Sequence, residues 1–365
     1  MSDRQKSLPD IRECYPILPS MLRKYDKFGR RDRFTGETAE DFRQWGEKAK
    51  KVLWDLLGLD KMESCPLDPV TDEVVMLPGN IRREHLRIQV EPEVWMPMYI
   101  LIPAGASLKS RPFLCPPGHN GAGKYSVAGL REYGTVKERI ELYGYDYGYQ
   151  LARLGYVAVC PDCRGFGERR EEREDASHPE LGMKGDCYWL AHMGEPLGIP
   201  VAGMLAWDLM RAVDYLYWRG EWDGARCGCL GFSGGGMQAL MASALDERIR
   251  LVVISGYLYG YKDALLRLNR NCSCNYVPHL WEHWDMGDIA SLIAPRPFWI
   301  QSGKEDRLNG PRGIDNVTEQ VEIIRRAYRL FGAEDRLLHE ICPGSHRWNG
   351  ENLERNLEKL GKLED

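Results

Sequence analysis

Residues 229–245 read CLGFSGGGMQALMASAL, and within them Gly231-Phe232-Ser233-Gly234-Gly235 fits the pattern G-x-S-x-G. That pattern describes a strand turning sharply into a helix, with the serine at the bend. The glycines permit a strained backbone and a close approach of strand and helix. The first amide N–H groups of the helix then face a reacting carbonyl, where negative charge develops. The chemistry on offer is attack by Ser233 on an acyl carbon. In a chain with 38 glycines the pattern alone is weak, so its partners must decide.

A serine hydroxyl needs a base, and the base needs a carboxylate to hold its tautomer. Where the serine sits in such a turn, the acid follows a late strand and the histidine follows the last one. PFWIQSGKEDRLNG ends a strand and delivers Glu305 and Asp306; LLHEICPGSHRWNG ends the last strand and delivers His346. Asp306 is the expected acid and Glu305 its competitor, because the acid usually lies a few residues past the strand end. One oxyanion donor is expected at the N–H of Gly234. The other should come from the loop CPPGHNGAGK, with His119 the first choice and Asn120 the next.

Metal chemistry has weaker support. HLWEH (279–283) fits H-x-x-E-H, which could place His279 and His283 on one zinc with Glu282 as base. Pro278 precedes it, its surroundings read as loop, and no third ligand can be assigned. Cys160-x-x-Cys163 and Cys272-x-Cys274 have ligand-like spacing, yet a second pair at zinc-ribbon spacing is missing. No metal and no organic cofactor are expected.

The elements that must position these residues form an α/β pattern. From residue 112 short apolar strands (112–115, 156–160, 227–232, 251–255, 297–302, 337–341) alternate with helices near 138–154, 203–218, 234–246, 316–331 and 349–362. Strands apolar throughout and separated by helices indicate a mostly parallel central sheet covered on both faces. Ahead of it, Leu86, Ile88 and Val90 alternate in a strand that should pair antiparallel with the next, turning near Glu91-Pro92. Residues 1–65 read as a helical N-terminal extension packed on the main domain, its 39–60 segment carrying apolar residues at helical period. Residues 66–365 then form the catalytic domain. Two long connections, 163–202 and 256–296, should lie near the site. Tyr188 and Trp189 in the first and Trp281 and Trp284 in the second are candidates to face the apolar side of a sugar.

Composition excludes several function classes. A net charge of -5 spread along 365 residues argues against a nucleic-acid surface. No stretch approaches the roughly 18 apolar residues that span a bilayer, so no membrane role is expected. The N-terminus lacks the apolar core of a signal peptide. Eleven scattered cysteines, an odd number, read as reduced thiols in a cytoplasmic protein.

The segments PPGHNGAGK, GYQLARLGYVAVCPDCRGFGER, WDLMRAVDYL, CGCLGFSGGG and CSCNYVPHLWEHWDMGDIASLIAPRPFWIQSGKEDRLNG together resemble the α/β-hydrolase superfamily. More narrowly, they look like its acetyl-xylan-esterase and dienelactone-hydrolase-like branch, from about residue 80 to the C-terminus. The resemblance implies the α/β-hydrolase fold, a Ser233–His346–Asp306 triad, and a structural loop near the site at Asp162-x-Arg164-Gly165-x-Gly167. The chain departs from that branch at three points. Dienelactone hydrolases use cysteine where this chain has Ser233, which excludes their reaction. Pro117-Gly118-His119 stands where relatives have His-Gly-x, and Arg307-Leu308-Asn309 replaces a common Pro-containing turn.

The expectation is a serine esterase that removes short acyl groups, acetyl first, from a carbohydrate or similar small alcohol. The alternatives are a serine peptidase or amidase on the same fold and, behind these, a zinc hydrolase built on His279 and His283. The expected partner is a small-molecule ester such as an acetylated sugar. Oligomeric state, a homo-oligomer included, is left open.

Overall fold

Alternation of side chains along its strands divides this protein's interior into two cores. In the computed structural model, which describes residues 14–171 and 185–363, nine strands form one sheet. They are β1 (Val70–Leu77), β2 (Ile81–Glu91), β3 (Val94–Pro103), β4 (Pro112–Leu114), β5 (Val157–Pro161), β6 (Gly228–Phe232), β7 (Leu251–Ser255), β8 (Phe298–Gly303) and β9 (Leu337–Cys342). Their order across the sheet is β1-β2-β3-β5-β4-β6-β7-β8-β9. The β1, β2, β3 and β5 neighbours pair antiparallel, and every pair from β5 to β9 is parallel.

Strands β4 to β8 are buried at every residue, as a sheet covered on both faces requires. Leu114, Val159, Cys229, Ile254 and Ile300 join one core with the Val201–Arg219 and Gly234–Leu245 helices. Phe113, Ala158, Leu230, Val253 and Trp299 join the other, with Ile140, Leu151 and Leu357 from the helices opposite. Leu86, Ile88 and Val90 of β2 are buried in alternation, and β2 turns into β3 with Glu91 opposite Val94.

Two elements differ from the sequence expectation. The single helix expected near 138–154 is two, Gly134–Tyr143 and Tyr147–Arg153. Gly144 breaks it with φ 71°, its amide closing the first helix on Ile140 O at 2.7 Å. Strand β1 lies outside the sequence expectation, because most of it is exposed at the sheet edge and shows no apolar alternation.

Before β1 lie helices Leu18–Phe28 and Ala39–Leu56. The second starts at a capping box between Thr38 and Asp41 and buries Phe42, Gly46, Ala49 and Leu53. Phe42 meets Phe331 edge-on at 5.6 Å. No helix among the described residues is long and apolar enough to cross a membrane.

Candidate active site

After β4 the chain adds β5 on one side, then crosses to place β6 on the other side of β4. A reversal of this kind leaves a crevice at the carboxyl ends of the two strands, where open α/β sheets hold ligands. The loop after β4 carries His119, and the turn after β6 carries Ser233.

Ser233 has φ 56° and ψ -120°, a conformation that costs an L-residue energy and that the surroundings must enforce. Its amide donates to Ser255 O at 2.9 Å and its carbonyl accepts from Met237 N at 3.1 Å, which ties the bend to β7 and to the helix. A Cβ at Gly231 would overlap the Gly235 carbonyl, so strand and helix meet closely only because residue 231 is glycine.

The three residues that strand order singles out come together. His346 Nε2 lies 2.9 Å from Ser233 Oγ, and His346 Nδ1 lies 2.6 Å from Asp306 Oδ2. Asp306 is buried and its other oxygen accepts from Leu308 N at 2.9 Å, whereas Glu305 is exposed. Asp306 therefore also caps the Arg307–Asn309 turn that departs from the resembled family. Phe232 packs under the His346 ring at 4.7 Å. Trp348, buried just beyond, donates from its amide to Tyr143 O at 2.8 Å and from its indole to Gln150 at 3.0 Å.

The loop after β4 is held by its carbonyls. Tyr147 donates to Pro116 O at 2.5 Å, Gln238 to Pro117 O at 2.9 Å, and Tyr145 to His119 O. Among the described residues the amides of Gly234, His119 and Asn120 donate to no hydrogen-bond acceptor. All three residues line the cavity that holds Ser233 and His346. Uncommitted donors beside a nucleophile can receive an oxyanion.

That cavity has a volume of about 410 Å³. Tyr143, Tyr145, Tyr257, Tyr259 and Leu308 form apolar walls. Burial pushes the phenols of Tyr145, Tyr257 and Tyr259 far above the usual tyrosine range, so these hydroxyls stay neutral. The 163–202 connection contributes Gly185, and the 256–296 connection contributes Arg270, Asn271, Cys272 and Asn275. Residues 172–184 of the first connection lie outside the described residues.

The four aromatic candidates do not line this cavity. Tyr188 and Trp189 are exposed and pack on each other at 5.6 Å, Tyr188 also lying against His192. Trp281 stacks on Tyr261 and meets Tyr25 of the N-terminal helix, and Trp284 is buried with its indole N–H on Asp32 O at 3.0 Å. Their rings serve packing between the 256–296 connection and the N-terminal segment. Tyr257 and Tyr259 face the site instead.

His279 and His283 do not share a ligand site. His279 is exposed and pairs with Glu282 at 2.8 Å, while His283 pairs with Asp32 at 2.5 Å. Donors of metal-ligand type gather elsewhere, at His119, Cys187, Cys272 and Cys274, whose donor atoms all lie within 4.8 Å of one another. The Asp162–Gly167 loop is pinned by ion pairs: Asp162 to buried Lys124 at 2.7 Å, and Arg164 to Asp208 at 3.0 Å and to Glu91 at 2.6 Å.

No family model matches the chain. The Bacillus subtilis protein YtaP, named as a hydrolase, is 32% identical over 188 residues, 51% of this chain. The chain spans 58% of the length of that relative. A Bacteroides fragilis structure named as an acetyl xylan esterase superposes with a TM-score of 0.73 at 19% identity, over 90% of this chain and 83% of its own. A methylesterase superposes at 0.66 with 19% identity, over 95% and 70%. A glucuronoyl esterase from Solibacter usitatus does so at 0.61 with 17% identity, over 90% and 94%. These likenesses establish that the chain has the α/β-hydrolase fold, its sheet mostly parallel.

Proposed function

We propose that this protein is a carboxylic ester hydrolase that uses Ser233, His346 and Asp306 to remove short acyl groups, acetyl first, from a carbohydrate or similar small alcohol. One observation carries the reading. The hydrogen-bonded chain from Asp306 through His346 to Ser233 ends in a cavity beside uncommitted backbone amides.

His346 Nε2 takes the hydroxyl proton as Ser233 Oγ attacks the ester carbon. Asp306 holds Nδ1–H, so the free nitrogen faces the serine, and it stabilises the imidazolium that forms. The amides of Gly234 and of His119 or Asn120 receive the oxyanion. His346 then returns the proton to the leaving alcohol, giving an acyl-enzyme. A water molecule, deprotonated by His346, repeats the attack and releases the acid and Ser233. Metal takes no part in these steps.

The cavity is small for a ligand site, near the low end of the roughly 300–1,000 Å³ such sites span. That supports a compact acyl group. The fold neighbour named as an acetyl xylan esterase supports acetyl as the acyl group and a sugar as the alcohol. We place residues 66–365 as the catalytic domain and residues 1–65 as an extension packed on it. None of the eleven cysteines is in a disulfide, which suits a reducing compartment, and we assign the protein to the cytoplasm.

The test is a panel of p-nitrophenyl esters, acetylated sugars and matched anilides with wild type and Ser233→Ala. Acetyl esters should be cleaved, and Ser233→Ala should lower kcat on the order of 10^4-fold or more without loss of fold. Anilides cleaved as fast as esters would move the reading to an amidase. A full-rate alanine variant would reject the nucleophile.

A further inference from the structure

We propose that His119, Cys187, Cys272 and Cys274 bind one zinc ion, in a closed site that staples the oxyanion loop to both long connections. The four donors come from three distant places in the chain. His119 lies on the loop after β4, Cys187 begins the Cys187–Gly194 helix of the 163–202 connection, and Cys272 and Cys274 flank the Ser273 turn of the 256–296 connection.

The geometry suits a tetrahedral ion. His119 Nε2 lies 3.4 Å from Cys274 Sγ and 3.7 Å from Cys187 Sγ, and no donor pair exceeds 4.8 Å. Bonds of about 2.3 Å to sulfur and about 2.0 Å to nitrogen give a zinc tetrahedron N···S edges of about 3.5 Å. Cys187 and Cys274 are almost wholly buried, so their sulfurs are shielded from competing solvent. Asn275 Nδ2 points at Cys274 Sγ at 3.5 Å, the kind of N–H···S contact that steadies a thiolate ligand. The His119 ring is braced edge-on by Phe166 at 5.2 Å.

Three thiolates and one imidazole are a soft set that selects zinc among common divalent ions. On binding, each ligating thiol gives its proton to solvent and its sulfur lone pair to the ion; nothing is oxidised or reduced. Four protein ligands leave no open position for water or substrate, so the ion holds structure and does no chemistry. Its structural effect reaches the site through His119. A Cβ on Gly234 would lie 2.6 Å from His119 Nδ1, so the liganded ring is seated against the backbone of the residue after Ser233. Fixing that ring fixes the loop whose amides flank the cavity. This role in positioning, though not the metal assignment, rests on the ester-hydrolase reading.

The test begins with the wild-type chain, expressed with zinc and purified without chelators, and its metal content by mass spectrometry. About one zinc per chain is expected, falling several-fold in Cys272→Ser and Cys274→Ser and unchanged in Ser233→Ala. Cobalt(II) exchanged into the wild type should show the ligand-field and thiolate charge-transfer bands of a tetrahedral sulfur-rich site. Zinc removal should lower kcat on acetyl esters more than it raises KM, with recovery on adding zinc back. Wild type without zinc and without the cobalt bands overturns the site, as does a disulfide between any two of these cysteines under reducing purification. Zinc bound at full occupancy in a chain that cleaves no ester would leave the site standing and reject the hydrolase reading.

Discussion

The amide of Glu305 donates to the Gly344 carbonyl at 3.0 Å, so the neighbour of the proposed acid is tied by its backbone to the loop that carries His346. Lys304 N makes the same kind of bond to Cys342 O at 2.9 Å, extending the pairing of β8 with β9 past the strand ends. The loops that carry Asp306 and His346 are therefore zipped together by main chain. The Glu305 side chain, meanwhile, faces solvent and Asp306 faces the imidazole. Asp306→Asn should lower kcat on the order of 10^4-fold by losing the tautomer it enforces, while Glu305→Gln stays near wild type. Steady-state kinetics of both variants decides, and the reverse ranking would make Glu305 the acid.

Trp284 is buried and Tyr188 is more than half exposed, and neither lines the cavity. Trp284→Ala should therefore cost about 3–5 kcal/mol of stability through lost packing. Tyr188→Ala should stay within about 0.5 kcal/mol. Urea denaturation measures both. KM for an acetylated sugar should not change in the folded fraction of either variant. A several-fold rise in KM in Tyr188→Ala would return that ring to the substrate.

How much was legible follows from how local each signal is. The bend at Ser233 is written in adjacent residues, and the places of Asp306 and His346 follow from counting apolar strands. The two cores are legible for the same reason, since Leu114 and Phe113 must face opposite ways on a strand. Direction within a loop has no such period. Trp281 and Tyr257 are both aromatic residues of the 256–296 connection, yet one packs on Tyr261 and the other lines the cavity. The gathering of His119, Cys187, Cys272 and Cys274 has no local sequence signal because the four residues come from three distant parts of the chain, with only Cys272-x-Cys274 local. Strand β1 escaped because an exposed edge needs no alternation.

Burial, with the Arg325 charge added, pushes His339 down to about 4 from an unfolded value of 6.5. Folding thus favours the neutral ring, and the stability this confers is present above pH 6.5 and lost as pH falls through 4. Asp285 acts the other way. Burial raises it from 3.8 to about 6, so its contribution is lost as pH rises through 6. The comparison of wild type with His339→Gln isolates the histidine. Urea unfolding between pH 7 and pH 4 should show the variant losing less stability than wild type over this window. Parallel curves would mean that His339 titrates alike in both states.

Acyl-chain length is the remaining test of the pocket. Tyr145, Tyr257 and Tyr259 are all nearly inaccessible to solvent, and Tyr145 is further held by its bond to His119 O. Walls anchored in this way yield little. A methylene that fits gains about 0.8 kcal/mol by burial, whereas one forced against a packed wall costs about 1–3 kcal/mol. With a cavity of about 410 Å³ shared between acyl group and alcohol, the second effect should win early in the series. The expected kcat/KM for p-nitrophenyl esters is therefore highest at acetate or propionate and falls between about C3 and C6. Leu308 lines the same cavity and is only partly buried, so Leu308→Ala should enlarge the site and move the drop to longer chains. A wild-type preference for octanoate over acetate would reject the short-acyl assignment while leaving Ser233 as nucleophile. An unchanged profile in Leu308→Ala would place the acyl group against the tyrosines instead.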